Sequence, residues 1–546
     1  VRSSHVPANA AEAPSVWAGV GVLLAYACLR VALLWSVPLN SDEPQHAHVA
    51  WALSRGLVPY RDVFDNHAPL FHLLYAPLLA VLGETPDVMA WLRLAIIPLA
   101  VAAIGLTMVI AGRLWSRKTG LWAILLLCAF PPYMMEVGTF RTDAMWAVAW
   151  IGAVAWAVHG RWTLQRAFWF GVLVGTTFAV SMKTLLLLSG LALTWSFVVA
   201  ALPAAQRPSL GASFRSLGAA LSGAAIVPAL VVGWVAAKGG LAAMRYGVIE
   251  HNILPDVGRT HGIPWRLPLM ILAIGLLAFV VRKVIAGATD KALSARRCLV
   301  AGSAVAYTLL LLGIWPLLSR QDLLPSAPLL ALGLAAWLAG RRHPAAAWLP
   351  TGLAIAGLAW VGFGHPPWEN RLAQEHASLA DILATTTDRD QVMDDKGASI
   401  FRMRPFYFAL EDITLARIRR GLIKDDIQQR LLATDTHLVW ARRLSPMDAR
   451  FVAANYLPAR DGLMVAGHDF GWLHRNAVET MQVLLPGFYA LDATSGPGQS
   501  GVLLDGSAYV TPRLLAAGPH ALSVAQAGRY ALVWQPAQSL LSWREH

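Results

Sequence analysis

Asp42 and Glu43 stand side by side where a long apolar run gives way to Leu-Asn-Ser-Asp-Glu-Pro-Gln-His-Ala-His, residues 39–48. A carboxylate within reach of a hydroxyl can take its proton, so this pair is the first in the chain suited to general base work. Its position also fits a plainer role. Ser41 or Asp42 can cap a helix whose first turn holds Pro44 and which Gly56 ends, and a carboxylate is stabilised at the head of a helix. Ionisable company favours chemistry, because Arg61, Asp62, Asp65 and His67 follow in the same segment, bracketed by Pro59 and Pro69. His46 and His48 lie two apart on the expected helix and face different directions, so they do not make a ligand pair for a metal.

A second set of charges interrupts apolar sequence further on. Glu136, Arg141 and Asp143 lie between two apolar runs, Lys183 lies in Ser-Met-Lys-Thr, and Arg320 and Asp322 lie in Ser-Arg-Gln-Asp-Leu-Leu-Pro. Charges at membrane depth are costly and are read first as functional. Cations gathered at one boundary suit an anionic headgroup such as a phosphate. Ordinary loop charge at helix ends is the competing reading, weakest for Lys183 with its apolar flanks. Arg30 and Arg93, inside or at the edge of apolar runs, are read as structural, by snorkelling or pairing.

The elements that must position these groups are membrane helices. Of 546 residues, 56% are hydrophobic and 14% charged, against about 25% charged in soluble domains. Mean hydropathy is +0.51. The 23 tryptophans suit membrane–water interfaces. The net charge of +12 does not indicate nucleic acid. The basic residues sit in short clusters between apolar runs (Arg113/Arg117/Lys118, Arg282/Lys283, Arg296/Arg297, Arg341/Arg342), as the positive-inside rule requires. Cys28, Cys128 and Cys298 each fall in an apolar run, which argues against a disulfide and against a cysteine-built zinc site.

About eleven spans are predicted, near 16–38, 90–112, 119–134, 143–158, 167–182, 184–203, 217–237, 265–281, 298–318, 323–340 and 345–363. Residues 1–15 are expected to form a cytoplasmic tail before a retained first helix. The transmembrane region is 16–363, with a first extracytoplasmic loop at 39–90 holding a surface helix and a second apolar piece, Leu70 to Leu82, too short to span. Residues 364–546 are expected to be an extracytoplasmic soluble domain, α/β to about 475 and β-rich from 476. No motif in that domain points to a particular chemistry.

The order of these features resembles the GT-C class of polyprenyl-phosphate-dependent glycosyltransferases, with the lipid A aminoarabinose transferases and protein O-mannosyltransferases nearest in pattern. The resemblance covers roughly residues 20–340. It is carried by Arg30, Asp42-Glu43, Gly56-Leu-Val-Pro-Tyr-Arg-Asp, Asn66-His-Ala-Pro-Leu, Gly83, Arg93, Arg141-Thr-Asp143, the Lys183 turn and Arg320-Gln-Asp-Leu-Leu-Pro-Ser-Ala-Pro. Two positions depart from it: His67-Ala-Pro stands where many relatives have Lys-Pro, and Asp322 where they often have Tyr.

The resemblance implies displacement at a sugar's anomeric carbon, with a polyprenyl phosphate leaving and an acceptor hydroxyl attacking. Asp42 would be the catalytic base and Glu43 its support. Lys183, Arg320, Arg141 and His67, in that order, would bind the donor phosphate, with Asp143, Arg61 and Asp65 as supporting or acceptor-side groups. The implied partners are a polyprenyl-phosphate-linked sugar, a lipid, glycan or protein acceptor, and membrane lipids. No nucleotide or resident cofactor is implied, and a divalent metal stays open. The implied location is a bacterial inner membrane with the site outside the cytoplasm. Two rival classes are a transporter or flippase for a lipid-linked glycan and a non-catalytic assembly protein. The first would favour inverted repeats and broken helices, which the sequence does not display.

Overall fold

A computed structural model of the chain describes residues 12–255, 257–258, 263–341, 345–495 and 501–541. Most of the expected tail 1–15, with Arg342, lies outside the described residues. The chain divides into two compact units. The first comprises Val1–Pro38, Asn66–Tyr75 and Ala90–Arg371. The second comprises Leu39–Asp65, Ala76–Met89 and Leu372–His546.

The first unit is helical. It holds α1 (Glu12–Ser36), α4 (Val88–Leu114), α5 (Arg117–Cys128), α6 (Pro131–Glu136), α7 (Thr142–Val158), α8 (Leu164–Val180), α9 (Thr184–Ala201), α10 (Leu210–Ala237), α11 (Leu241–Arg245), α12 (Ile263–Ala286), α13 (Lys291–Ile314), α14 (Ala327–Ala339) and α15 (Ala345–Gly364). Among the described residues seven helices are long and apolar enough to cross a membrane, and the shorter apolar helices include α7, α8 and α14. The apolar run 119–134 is a departure from the single span expected of it. It breaks into α5 and α6 at Phe130-Pro131-Pro132, because each proline lacks an N–H to continue the ladder and biases the residue before it away from helix.

Helices α8 and α10 meet through small residues. A Cβ at Gly171 would lie 1.9 Å from the Ala220 carbonyl oxygen, and one at Gly223 would lie 2.0 Å from that of Phe168. Backbones this close pack by dispersion, which drives helix association where lipid removes the hydrophobic term. Similarly, Gly190 of α9 sits against the backbone of Ser303 and Tyr307 in α13. Arg93 ends α1, donating to the carbonyls of Leu34 (3.2 Å), Val37 (2.8 Å) and Pro38 (3.0 Å), acceptors that a helix terminus leaves without an internal partner.

The second unit joins the first loop to the tail. It contains α2 (Glu43–Ser54), α16 (Ala373–Thr385), α17 (Asp412–Arg419), α18 (Ile427–Ala433) and α19 (Pro446–Asn455). The division between the units falls within α3 (Leu70–Leu82) and again in the first turn of α4. The strands are β1 (Val392–Asp394), β2 (Leu438–Trp440), β3 (Tyr456–Pro458), β4 (Met464–Leu473), β5 (Val478–Val483), β6 (Gly487–Ser495), β7 (Val502–Leu504), β8 (Ser507–Ala508), β9 (Arg513–Leu515), β10 (Gly518–Val524) and β11 (Gly528–Trp534). A seven-stranded sheet runs β1-β2-β4-β11-β6-β9 with β3 beside β4, and a four-stranded sheet runs β5-β10-β7-β8. Among the described strands, β1 and β2 alone pair in parallel, across the α17–α18 connection. The loops after these two strands therefore leave the same end of the sheet, where open α/β sheets place their functional loops.

Candidate functional site

The first loop enters α2 differently from the capping expected of Ser41 or Asp42. Asp42 occupies the N-cap position but makes no side-chain capping bond. Instead the Asn40 side chain accepts from the Asp42 N–H (3.2 Å), and Glu43 reaches back to the Asn40 N–H (2.9 Å). The Asp42 carboxylate is engaged elsewhere, because Lys396 Nζ donates to its Oδ1 at 2.6 Å. Both side chains are largely covered, 21% exposed for Asp42 and 11% for Lys396. Glu43 is fully buried. From Glu43 to Ala52 the helix is buried all round, so it lacks the solvated face that a surface helix would show. It ends as expected at Gly56, whose φ of +82° suits glycine and whose N–H bonds Leu53 O at 3.0 Å.

The loop after β1 is fixed against α2. Asp394, fully buried, accepts from Gly397 N (2.5 Å), Ser399 N (2.8 Å) and Ser399 Oγ (2.6 Å). Gly397 has φ +81°, and a Cβ there would lie 2.7 Å from His48 Cβ. His48 Nδ1 bonds the Ile400 carbonyl at 2.8 Å, which makes that nitrogen the donor. Burial pulls the His48 pKa down to about 4, and nearby Arg404 acts in the same direction. The ring is neutral at physiological pH. Asp395 ties this loop to the one after β2, accepting from the N–H of Arg442 (3.0 Å) and Arg443 (2.9 Å).

Of the other first-loop candidates, Arg61 pairs with its neighbour Asp62 at 2.8 Å and is half exposed. Asp65 is fully buried beside Tyr60, whose phenol is pushed up mainly by burial and further by that carboxylate. Tyr60 holds φ +68°, and Tyr407 donates to its carbonyl oxygen. Phe64 meets Tyr407 edge-on at 5.7 Å.

In the first unit, the starts of α7 and α9 are tied together. Trp146 Nε1 of α7 donates to Thr184 Oγ1 of α9 at 3.0 Å. Arg141 and Asp143, at the head of α7, form a buried ion pair at 3.1 Å. Lys183, just before α9, pairs with Asp322. Asp322 is fully buried in the short turn Arg320–Leu323, where it accepts from Ser319 N (2.9 Å) and Oγ (3.0 Å). Tyr307 of α13 holds that turn through the Asp322 carbonyl at 2.6 Å. Asp143 lies within the electrostatic reach of Arg141, Lys183 and His67. Arg141, Asp143, Lys183, His67 and Asp322 thus form one cluster. Arg320 is exposed at the start of the Asp322 turn and makes no ion pair among the described residues. Glu136, on α6, is buried. No group of three or more His, Cys, Asp or Glu side chains among the described residues is placed to hold a metal ion.

Lys396 is the residue that sequence reasoning missed. Its signal is weak: Asp394-Asp395-Lys396-Gly397 is a charged run ahead of a turn glycine, in a domain without a recognisable chemical motif.

This architecture, apolar helices joined in one chain to a tail of mixed sheet, defines a fold class seen in solved membrane proteins. The chain has an ArnT-like fold and is an integral membrane protein. It is similar to crystal structures of ArnT from Cupriavidus metallidurans. The apo structure matches with a TM-score of 0.57 at 12% identity over 82% of this chain and 98% of that one. The structure bound to undecaprenyl phosphate matches with a TM-score of 0.58 at 13% identity over 83% of this chain and 97% of that one. No protein-family profile and no curated protein sequence matches the chain. The fold agrees with the GT-C resemblance read from the first loop.

Proposed function

We propose that the chain is a membrane glycosyltransferase that moves a sugar from a polyprenyl-phosphate donor to an acceptor hydroxyl on a lipid, glycan or protein. The observation that carries this reading is the cluster of Arg141, Asp143, Lys183 and Asp322, three of them buried and Lys183 three-quarters covered, at the starts of apolar helices. Such a cluster costs too much desolvation to be kept for stability alone. The similar ArnT fold, solved with undecaprenyl phosphate bound, supports a lipid-phosphate donor. The reaction is a single displacement. Asp42 takes the hydroxyl proton as that oxygen attacks the anomeric carbon, and the polyprenyl phosphate leaves with the bonding pair. Glu43 supports Asp42 from its buried position.

Charge grows on the phosphate as the bond breaks, and fixed cations stabilise that change without reorganising. Lys183, Arg320, Arg141 and His67 are assigned to it, with Asp143, Arg61 and Asp65 in supporting or acceptor roles. No resident cofactor enters the scheme. By membrane disposition the chain reads as a tail (1–15), a transmembrane region (16–363) and a soluble domain (364–546) outside the cytoplasm. The membrane is assigned as a bacterial inner membrane, facing the periplasm.

The test is an assay of the purified protein with a panel of undecaprenyl-phosphate-linked pentoses and hexoses. Sugar transfer, or slow hydrolysis, is expected from at least one donor, and Asp42→Asn should abolish it. Binding of the panel without turnover by the wild-type protein would overturn the reading.

A further inference from the structure

We infer that Lys396, carried by the soluble tail, is a positioning residue for Asp42. The inference rests on the base role proposed for Asp42. A base works only if its carboxylate is aimed, and misplacement by about 1 Å costs on the order of a hundredfold in rate. Asp42 does not gain its aim from the helix it begins, because its side chain makes no capping bond. The bond from Lys396 Nζ at 2.6 Å fixes the Oδ1 oxygen, and Ser41 Oγ adds a weaker contact at 3.3 Å.

Lysine is a flexible, strongly hydrated side chain, so it positions a partner only when its own backbone is fixed and its stem covered. Both conditions hold. Lys396 is buried, and the residue after it is clamped by Asp394 and by the close approach of Gly397 to His48. His48 belongs to the same helix that Asp42 begins, and it also holds the loop through Ile400. Loop and helix are therefore bound to each other independently of the Asp42–Lys396 pair. A pair needed only to dock the loop would be redundant here. What the ammonium adds is the orientation of one carboxylate.

The experiment compares wild type, Lys396→Met, Lys396→Arg and Asp42→Asn as full-length proteins, measuring kcat and KM for undecaprenyl-phosphate sugar together with thermal midpoint. Lys396→Met should lower kcat by about tenfold or more while leaving the donor KM within about twofold. Its thermal midpoint should fall only modestly, by the cost of leaving the largely covered Asp42 carboxylate without its ammonium, since Asp394, Gly397 and His48 still hold the loop. Lys396→Arg, which keeps a cation on Asp42, should recover most of kcat. If Asp42→Asn is inactive while Lys396→Met keeps wild-type kcat, the positioning role is overturned and the transferase reading stands. The positioning role is equally overturned if Lys396→Met loses activity only in step with melting and Lys396→Arg does not rescue it. A fully active Asp42→Asn overturns the base assignment itself, and the role of Lys396 with it.

Discussion

At the scale of single residues, each cation of the α7–α9 cluster is already matched to an acid. Lys183 is held by Asp322 and Arg141 by Asp143, so the donor phosphate of the proposed reaction would join a network that is nearly neutral. That arrangement lets the cations stay ordered in the empty protein, the preorganisation that electrostatic stabilisation of a leaving group needs. It also separates structural from functional loss. In Lys183→Met, Asp322 stays buried without its ammonium, which costs about 2 kcal/mol, less than the roughly 3–5 kcal/mol of a fully buried pair because the Lys183 side chain is a quarter exposed. Activity should fall by about a hundredfold. Adding Asp322→Asn removes the stranded charge, so thermal stability should recover toward wild type while transfer does not. Unfolding and transfer measured on the same preparations check both halves, and a double variant that regains activity would show that the Lys183 charge is not used.

At the scale of elements, the glycines between α8 and α10 set how closely these two helices cross. Gly223→Leu puts a side chain into the Phe168 carbonyl and should destabilise by about 1–3 kcal/mol, as overpacking does. Gly218→Ala, on the same helix with open space around it, should be close to neutral. Thermal unfolding of the two variants tests whether the close crossing, rather than glycine as such, matters. Much at this scale could be read from sequence, because a long apolar run has few options besides a buried or lipid-facing helix. The second apolar piece of the loop, Leu70–Leu82, has the bounds read for it. Gly56 ends α2, and the stretch from 476, expected to be β-rich, holds β5 to β11. What escaped was decided by distant partners or by competing signals. The Pro131-Pro132 break is visible locally, but the hydropathy of the surrounding run masks it. The pairing of Asp42 with a residue 354 positions later leaves no periodic trace in either segment. The burial of α2 on every side is equally invisible in its mixed polar sequence, Glu-Pro-Gln-His-Ala-His.

At the scale of the whole molecule, the first loop does not fold as an appendage of the helices that flank it in sequence. Leu39–Asp65 and Ala76–Met89 belong to one compact unit with the tail, held by more than the Asp42–Lys396 pair. Arg402, 2% exposed on its side chain, bonds Glu84 at 2.8 Å, and Phe64 lies edge-on to Phe408 at 5.3 Å. Arg55 reaches Asp388 at 3.1 Å, an exposed pair of little energetic weight. A chain that ends at Arg371 therefore keeps every apolar helix yet loses most of the partners of the segment carrying the proposed base. The buried polar side chains of α2 (Glu43, Gln45, His46 and His48) would then face loss of their packing, and a helix of 12 residues is marginal without tertiary support. The truncated protein should still insert in membranes, lose transfer by more than about a hundredfold, and become sensitive to protease between residues 39 and 65. Tail deletion with full retention of activity and of protease resistance in that segment would show that the loop folds by itself and that the tail serves some other purpose.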